Sequence, residues 1–206
     1  MRKLTLDDLQ EIKIWMYRNA RPIDLSIWQY YFENGSKDAV LSSLSFYQNS
    51  DGGFGHALEA DSWNPNSSPY TTLTAIIILK DIEFADKQHP IMQGIFNFLE
   101  SRAYCSENGW HFNIPSNNDY PHAPWWEYNM EANAVEGIGV TAEIVGFVFK
   151  YAKEDSEIYK KALTFSDVII NKLRTSEHYG DMGIGGYCVL LDSIKKAKLT
   201  SRFDCN

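Results

Sequence analysis

The sequence contains few cysteines, and their spacing is unlike that of a disulfide or zinc protein. Only three of the 206 residues are cysteines, Cys105, Cys188 and Cys205, and none belongs to a CxxC pair. This odd and scattered set argues against both a disulfide framework and a cysteine-rich zinc site. We therefore interpret the three thiols as small buried or incidental side chains.

Basic residues and long apolar runs are also scarce. The 19 Lys and Arg side chains are outnumbered by 27 Asp and Glu, which leaves a formal net charge of −8. This charge repels phosphate backbones, so we expect no nucleic-acid partner. The longest apolar runs, 73–79 and 144–149, are much shorter than the roughly 20 residues that span a bilayer, so we expect no membrane span. The N-terminal segment becomes acidic before an apolar core can form, which predicts a cytoplasmic protein without a signal peptide.

Strand-like alternation of apolar and polar residues is missing, and helical periodicity predominates. The pattern predicts a nearly all-α protein with one domain over residues 1–206. Eight helices are expected: from Thr5 to about Asn19, Pro22 to about Glu33, after Ser36 through Tyr47, about Tyr70 to Phe84, from Pro90, and around 140–151, 162–173 and 184–194.

Two connections, Asn49 to Pro69 and Cys105 to Gly139, are far longer than the few residues that usually join packed helices. They carry many aromatic side chains, among them Phe54, Trp63, Trp110, Phe112, Tyr120, Trp125, Trp126 and Tyr128. Aromatic-rich segments tend to bury themselves, so we expect ordered loops that form a site rather than disordered linkers.

The two loops form a weak internal repeat. Each has a glycine and an aromatic residue, then a histidine, and leads to a helix that begins near a threonine: Gly53-Phe54, His56 and Thr71-Thr72 in the first, Gly109-Trp110, His111 and Thr141 in the second. Residues 47–55, YQNSDGGFG, resemble the Q-x-x-DGGFG turn of prenyltransferase and squalene-cyclase repeats. This resemblance implies an (α/α) toroid, in which antiparallel helical hairpins form two concentric rings around a central cavity.

Longer segments resemble a narrower group of uncharacterised, terpenoid cyclase-like bacterial toroid proteins. They are residues 51–61, DGGFGHALEAD, and 119–126, DYPHAPWW, and the resemblance extends over roughly residues 20–195. It implies a toroid-like array that is incomplete or shortened, because eight helices are too few to close the ring. The D-x-D-D cluster of terpene cyclases, the Asp, Cys and His zinc ligands of protein prenyltransferases and the thioester motif of complement proteins are all missing. The resemblance therefore implies a fold but carries no activity with it.

The first loop contains the candidate catalytic residues. Asp51 and the glycines after it have turn chemistry, and Phe54 is expected to plug the loop between helices. His56, Glu59 and Asp61 follow this turn closely enough to project into one volume. They fit a general acid–base site or a hard-cation site, and the alternative is a capping carboxylate on a solvated surface. We assign no metal ligand.

The second loop contains the candidate substrate-binding residues. Trp125 and Trp126, with Tyr120 and Trp110, offer flat faces that suit a sugar ring or a carbocation; the alternative is that the tryptophans anchor the loop. The remaining candidates are Glu127, which could share the cavity, and His111 and His122, which are either proton carriers or hydrogen-bonded loop residues.

Three functions fit these residues. The first is an enzyme with an acidic and aromatic cleft acting on a carbohydrate or other polyhydroxylated small molecule. The others are an isoprenoid-handling cyclase or transferase and a non-catalytic ligand-binding or assembly protein. No cofactor is identified by the sequence.

Two spatial expectations follow. The loops should meet at one end of the helices and line the main cleft, because equivalent loops of stacked hairpins emerge on the same face. The last helix carries an apolar stripe, Ile184, Tyr187, Leu191 and Ile194. We expect either the N-terminal helix, through Leu9, Ile12, Trp15 and Met16, to cover this stripe, or a homodimer or partner chain to cover it and complete the toroid.

Overall fold

The structure, a computed structural model that describes residues 3–204, is mostly helical. This confirms the all-α prediction. The chain divides into two compact units, residues 1–47 and residues 48–206. Cys205, the third of the cysteines, lies outside the described residues, and Cys105 and Cys188 are free thiols. The single domain over residues 1–206 stays a prediction.

The first unit contains three helices that begin where the sequence predicts. Their bounds are α1 Leu6–Asn19, α2 Pro22–Phe32 and α3 Lys37–Ser45. Thr5 forms a capping box with Asp8, and the Ser36 hydroxyl accepts a hydrogen bond of 3.1 Å from the Ala39 N–H. No residue of α1 is buried, and Trp15 is 60% exposed.

The second unit contains the remaining helices and a short hairpin. The bounds are α4 Pro69–Asp81, α5 Pro90–Ser101, β1 Cys105–Ser106, β2 Gly109–Trp110, α6 Met130–Tyr151, α7 Glu157–Thr175, α8 Gly180–Lys196 and α9 Thr200–Phe203, with 3-10 turns at Pro115–Asp119 and Pro124–Trp126. Ser68, Asn129 and Ser156 cap α4, α6 and α7 through side-chain oxygens that accept backbone N–H groups.

Helix α6 is the centre of this unit. It packs against α4, α7 and α8, while α5 packs against α7. Contact between α6 and α8 depends on small residues, since a methyl group added to Gly186 would lie 2.6 Å from the Cα atom of Gly139. At the other end of this contact, the equivalent atom on Gly146 would lie 2.6 Å from the Ser193 hydroxyl. Helices α6 and α8 therefore run in the same direction.

Two parts of the sequence interpretation were wrong. Helix α6 begins at Met130 rather than near Val140, because the side chain of Asn129 caps it there. Its first seven residues are not buried, so the apolar stripe does not reveal them. The chain also forms a ninth helix, α9, after the last of the eight predicted helices, and its Phe203 is buried.

The apolar stripe of α8 is only partly exposed. Tyr187 and Ile194 are buried, whereas Ile184 is 67% and Leu191 37% exposed. A partner that covers this stripe stays a prediction, and it would contact two of the four side chains.

Among the described residues, α6 is the one helix long and apolar enough to cross a membrane. It meets this criterion by its length and composition only. Within the protein, 61% of its apolar window is buried, as is common for a core helix. This is consistent with the expected lack of a membrane span.

Candidate functional site

The two long loops lie side by side, as the repeat predicts. Ser62 and His122 form an antiparallel bridge between them. The Trp63 N–H donates to the Pro121 carbonyl at 3.0 Å, and the Ala123 N–H donates to the Asp61 carbonyl at 2.9 Å. These backbone contacts place Asp61 next to the second loop.

A buried amide, Asn64, strengthens this junction and was missed in the sequence. Its Nδ2 group donates to the Ser116 hydroxyl at 2.9 Å and to Asn117 Oδ1 at 2.8 Å. Asn117 in turn donates to the Trp126 carbonyl at 2.9 Å. The run Asn-Pro-Asn at 64–66 was the available signal, although a turn would produce the same pattern.

The DGGFG segment is structural, in agreement with the interpretation of its residues as turn chemistry. Asp51 Oδ1 accepts hydrogen bonds from the Gly53 N–H at 2.9 Å and from a serine hydroxyl at 2.7 Å. Gln48 Nε2 donates to the carbonyls of Gly52 at 2.9 Å and Ile91 at 3.1 Å, which holds the turn against α5. Phe54 is fully buried.

The internal repeat has a structural counterpart. The Phe54 N–H donates to the hydroxyl of Thr72 at 3.1 Å, and the Trp110 N–H donates to the hydroxyl of Thr141 at 2.9 Å. Both threonines are fully buried. The Trp110 ring is 2% exposed and packs edge-on against Phe165, so in this structure it is part of the core.

Asp61 and Trp126 form the centre of an acidic and aromatic cluster. The indole Nε1 of Trp126 donates to Asp61 Oδ1 at 2.6 Å. The Trp126 ring is stacked on Phe112 with centroids 5.0 Å apart and meets Tyr70 at 4.5 Å. With Glu59, whose Oε2 accepts a 3.2 Å hydrogen bond from the Thr74 hydroxyl, these side chains form what we call the loop junction: Glu59, Asp61, Tyr70, Phe112 and Trp126.

Negative charge is concentrated around the Tyr70 hydroxyl. Burial raises the pKa of Tyr70 to about 12, and the charges of Glu59, Glu143 and Asp61 contribute in that order. Burial also raises the pKa of Glu143, while the charge of Lys80 opposes the shift. Glu143 therefore belongs to the same electrostatic environment as the loop junction.

Glu143 is a functional candidate that sequence reasoning missed. It is half-buried in the middle of α6, between Ala142 and Ile144, which are fully buried. A carboxylate in such an apolar helix is unusual, and this was the signal that could have identified it. The helical stripe alone assigns it to a solvated face.

The histidines are not part of the loop junction. His56 is exposed, and its Nε2 lies 2.8 Å from Asn49 Oδ1. His122 Nδ1 donates to the Tyr120 carbonyl at 2.6 Å. His111 is half-buried, its Nδ1 has no hydrogen-bond partner among the described residues, and burial lowers its pKa. The structure thus brings Glu59 and Asp61 together with Trp126 but directs His56 to its own turn.

The remaining candidates of the second loop, two aromatic residues and one glutamate, lie on the surface. Trp125 is 61% exposed, Tyr120 is 37% exposed, and Glu127 is exposed. Trp126 is the only member of the tryptophan pair that is buried, so the pair both anchors the second loop and exposes a ring.

A cavity of about 520 Å³ lies beside the junction rather than within it. Helices α4, α6 and α8 supply most of its walls, and Glu143 is one of the lining residues. None of the site residues predicted from the sequence lines it, so the expectation that the loops line the main cleft was wrong for this cavity. Trp110 lines a second cavity of about 310 Å³ between α5, the hairpin and α7.

No group of three or more His, Cys, Asp or Glu side chains within residues 3–204 is arranged to hold a metal ion. The hard-cation interpretation of His56, Glu59 and Asp61 therefore lacks a ligand set.

Comparison with known proteins gives no match, whether to protein-family models, to curated proteins or to solved structures.

Proposed function

We propose that the second unit is part of an (α/α) toroid-like array of the prenyltransferase and squalene-cyclase type, in an incomplete or shortened form. The support is its helix packing. Helix α6 packs between α4 and α8, and α5 packs against α7, so alternate helices of the chain are neighbours. Two layers of alternating helices are what a toroid of helical hairpins requires.

We further propose that the protein is an enzyme acting on a carbohydrate or other polyhydroxylated small molecule at the loop junction. One observation carries this proposal: acidic and aromatic side chains are in contact at the loop junction, where the Trp126 indole donates to Asp61 at 2.6 Å and its ring lies 4.5 Å from that of Tyr70. Burial and the charges of Glu59, Glu143 and Asp61 raise the pKa of Tyr70, in agreement with this acidic surrounding. The rings of Trp126 and Phe112 lie directly beside the Tyr70 ring. Carboxylates accept hydrogen bonds from sugar hydroxyls, and aromatic rings pack against the apolar faces of sugars.

The carboxylates differ in the roles that their surroundings allow. Burial raises the pKa of Glu143, which is the direction of shift that suits a general acid. Glu59, held by the Thr74 hydroxyl, is the matching base. Asp61 is a positioning residue, because its Oδ1 accepts the Trp126 indole N–H and fixes that ring. This arrangement fits acid–base transfer at a substrate hydroxyl or glycosidic oxygen.

An isoprenoid-handling enzyme is the second candidate. It is favoured by the walls of the 520 Å³ cavity, which include Leu73, Ile76, Phe84, Met92 and Phe147. Such walls would shield an apolar chain from water. The acidic cluster at the loop junction has no evident part in that function, and for this reason we place it second.

Turnover assays on a panel of aryl glycosides and free oligosaccharides test the first proposal. We expect Glu143→Gln and Glu59→Gln to lower kcat/KM by about 10²-fold or more, the usual contribution of an acid or base. Glu107→Gln, at an exposed site in the hairpin turn, is the matched control and should leave turnover unchanged. Absence of turnover on the whole panel, or full activity in Glu143→Gln, would contradict the proposal.

A further inference from the structure

We propose that the cavity of about 520 Å³ binds a small amphipathic anion, an apolar chain that ends in a single carboxylate. The inference does not require the proposed enzyme, although Glu143, the general acid of that proposal, also lines this cavity. Its size is within the range of about 300–1,000 Å³ that is typical of small-molecule sites.

The cavity is built from one face of each of three helices. Each helix contributes residues at i, i+4 and i+7: Leu73, Ile77 and Lys80 from α4, Glu143, Phe147 and Lys150 from α6, and Val189, Ser193 and Lys196 from α8. This spacing places the three side chains of a helix on the same side. In all three helices the final member is a lysine in the last turn.

The middle of the cavity is apolar and partly open. Ile77 is 37% exposed although it lies in the interior of α4, and Val189 on α8 is half-exposed. Phe147 and Met92 form more deeply buried walls. Covering the apolar surface of a concave site with an apolar ligand removes it from water, and this burial favours binding.

The charged groups of the cavity leave one positive charge in excess. Lys80, Lys150 and Lys196 face two acids, Glu143 and Asp192, which gives a surplus of +1 when both acids are ionised. This is opposite in sign to the net charge of −8 for the whole chain. A single carboxylate balances the surplus, whereas a phosphate monoester, with a charge of about −1.5 to −2, exceeds it.

Lys80 is the best placed of the three lysines to bind the head group. Lys196 is already paired with Asp192 at 2.6 Å, and Lys150 lies over the Tyr151 ring at 4.9 Å from its centroid. Lys80 forms no direct ion pair with any described side chain, although its charge acts on Glu143 in the same cavity. A ligand carboxylate would therefore provide an acidic partner for Lys80.

Calorimetric titration of the full chain with sodium octanoate tests the proposal. We expect saturable binding of one octanoate per chain, with octanol, which lacks the charge, and acetate, which lacks the chain, each at least tenfold weaker. Octyl phosphate should bind no more tightly than octanoate. Loss of one charge-assisted contact in Lys80→Met should weaken octanoate binding about tenfold.

The matched control is Lys195→Met, because Lys195 is in the last turn of α8 but does not line the cavity. It should bind octanoate as the unmodified chain does. The proposal is overturned if octanoate does not saturate, if octanol binds equally well, if octyl phosphate binds tenfold more tightly, or if Lys80→Met and Lys195→Met behave alike. Thermal melting of each variant identifies a folding defect, and Ile77→Gln then provides a second test, with weaker binding expected because the apolar wall is lost.

Discussion

The indole N–H of Trp126 donates a 2.6 Å hydrogen bond to the carboxylate of Asp61, across 65 positions of the chain. This bond links the first long loop to the second where both reach the start of α4. Because Trp126 is 5% exposed and Asp61 is half-buried, the bond is largely shielded from water. We infer that it fixes the aromatic side of the loop junction.

Trp126→Phe keeps an aromatic ring but leaves Asp61 without its donor. We expect the free energy of unfolding to fall by about 1–3 kcal/mol, the cost of leaving a shielded polar group unpaired. Trp125→Phe is the matched control, since Trp125 is 61% exposed, and it should change stability little. Urea denaturation measures both variants. Equal effects at the two positions would mean that the bond to Asp61 contributes nothing.

The repeated threonine contacts give a second expectation. Thr72→Val and Thr141→Val each remove the hydroxyl that accepts a buried backbone N–H, that of Phe54 or Trp110. Each variant should lose about 1–3 kcal/mol of stability. Thr164→Val, on the exposed side of α7, is the control, and its effect should be much smaller. If only one of the two buried sites responds, the loops are not energetically equivalent.

Glycines in the DGGFG turn and in α8 should respond in opposite ways to alanine. Gly52 has φ +88°, and a methyl group there would lie 2.0 Å from the Gly94 carbonyl oxygen. Gly52→Ala should therefore cost about 2–4 kcal/mol, from the left-handed backbone and the clash together. Gly185→Ala meets nothing within 4 Å and should stabilise α8 by about 0.5–1 kcal/mol. Thermal or urea unfolding measures the stability of both variants. A Gly52→Ala variant as stable as the unmodified chain would contradict the observed turn.

The raised pKa of Glu143 predicts how stability depends on pH. Because the folded chain holds this proton more tightly than the unfolded chain does, the free energy of unfolding should fall as pH rises from 4.5, the ordinary pKa, through the raised pKa. Glu143→Gln cannot ionise, so this part of the decline should disappear. Urea unfolding between about pH 4 and pH 8 measures it, with Glu107→Gln as the control. A steeper decline in Glu143→Gln would reverse the assigned sign.

The helices were largely predictable from the sequence because their signals are local. Pro22, Ser36 and Pro90 mark helix starts, and the stripe of Ile91, Ile95, Phe98 and Leu99 is fully packed in α5. The start of α6 was not predictable from its apolar stripe, since the first buried residue, Gly137, follows seven helical positions without one. Capping by Asn129 was the signal that mattered there.

The site was only partly predictable, because several of its contacts join segments that are distant in the sequence. The repeated loops indicated that the two loops would meet, and the hydrogen bond between Asp61 and Trp126 is one of their contacts. The apolar sequence of α6 predicts a core helix, so it does not single out Glu143. The electrostatic interaction of Glu143 with Tyr70 arises only because α6 packs beside α4. The cavity is likewise formed by three helices that are distant in sequence, so no single segment carries its signature.

The central claim is that the negative charges of Glu59 and Glu143 act on the Tyr70 hydroxyl. The most direct measurement is an NMR titration of tyrosine labelled at Cζ, with the Tyr70 signal assigned from the Tyr70→Phe variant. We expect a pKa of about 12 for Tyr70 in the unmodified chain and a lower pKa in both Glu59→Gln and Glu143→Gln, because each variant removes a nearby negative charge. A Tyr70 pKa near the ordinary value of 10.0, or one that neither variant changes, would contradict the claim.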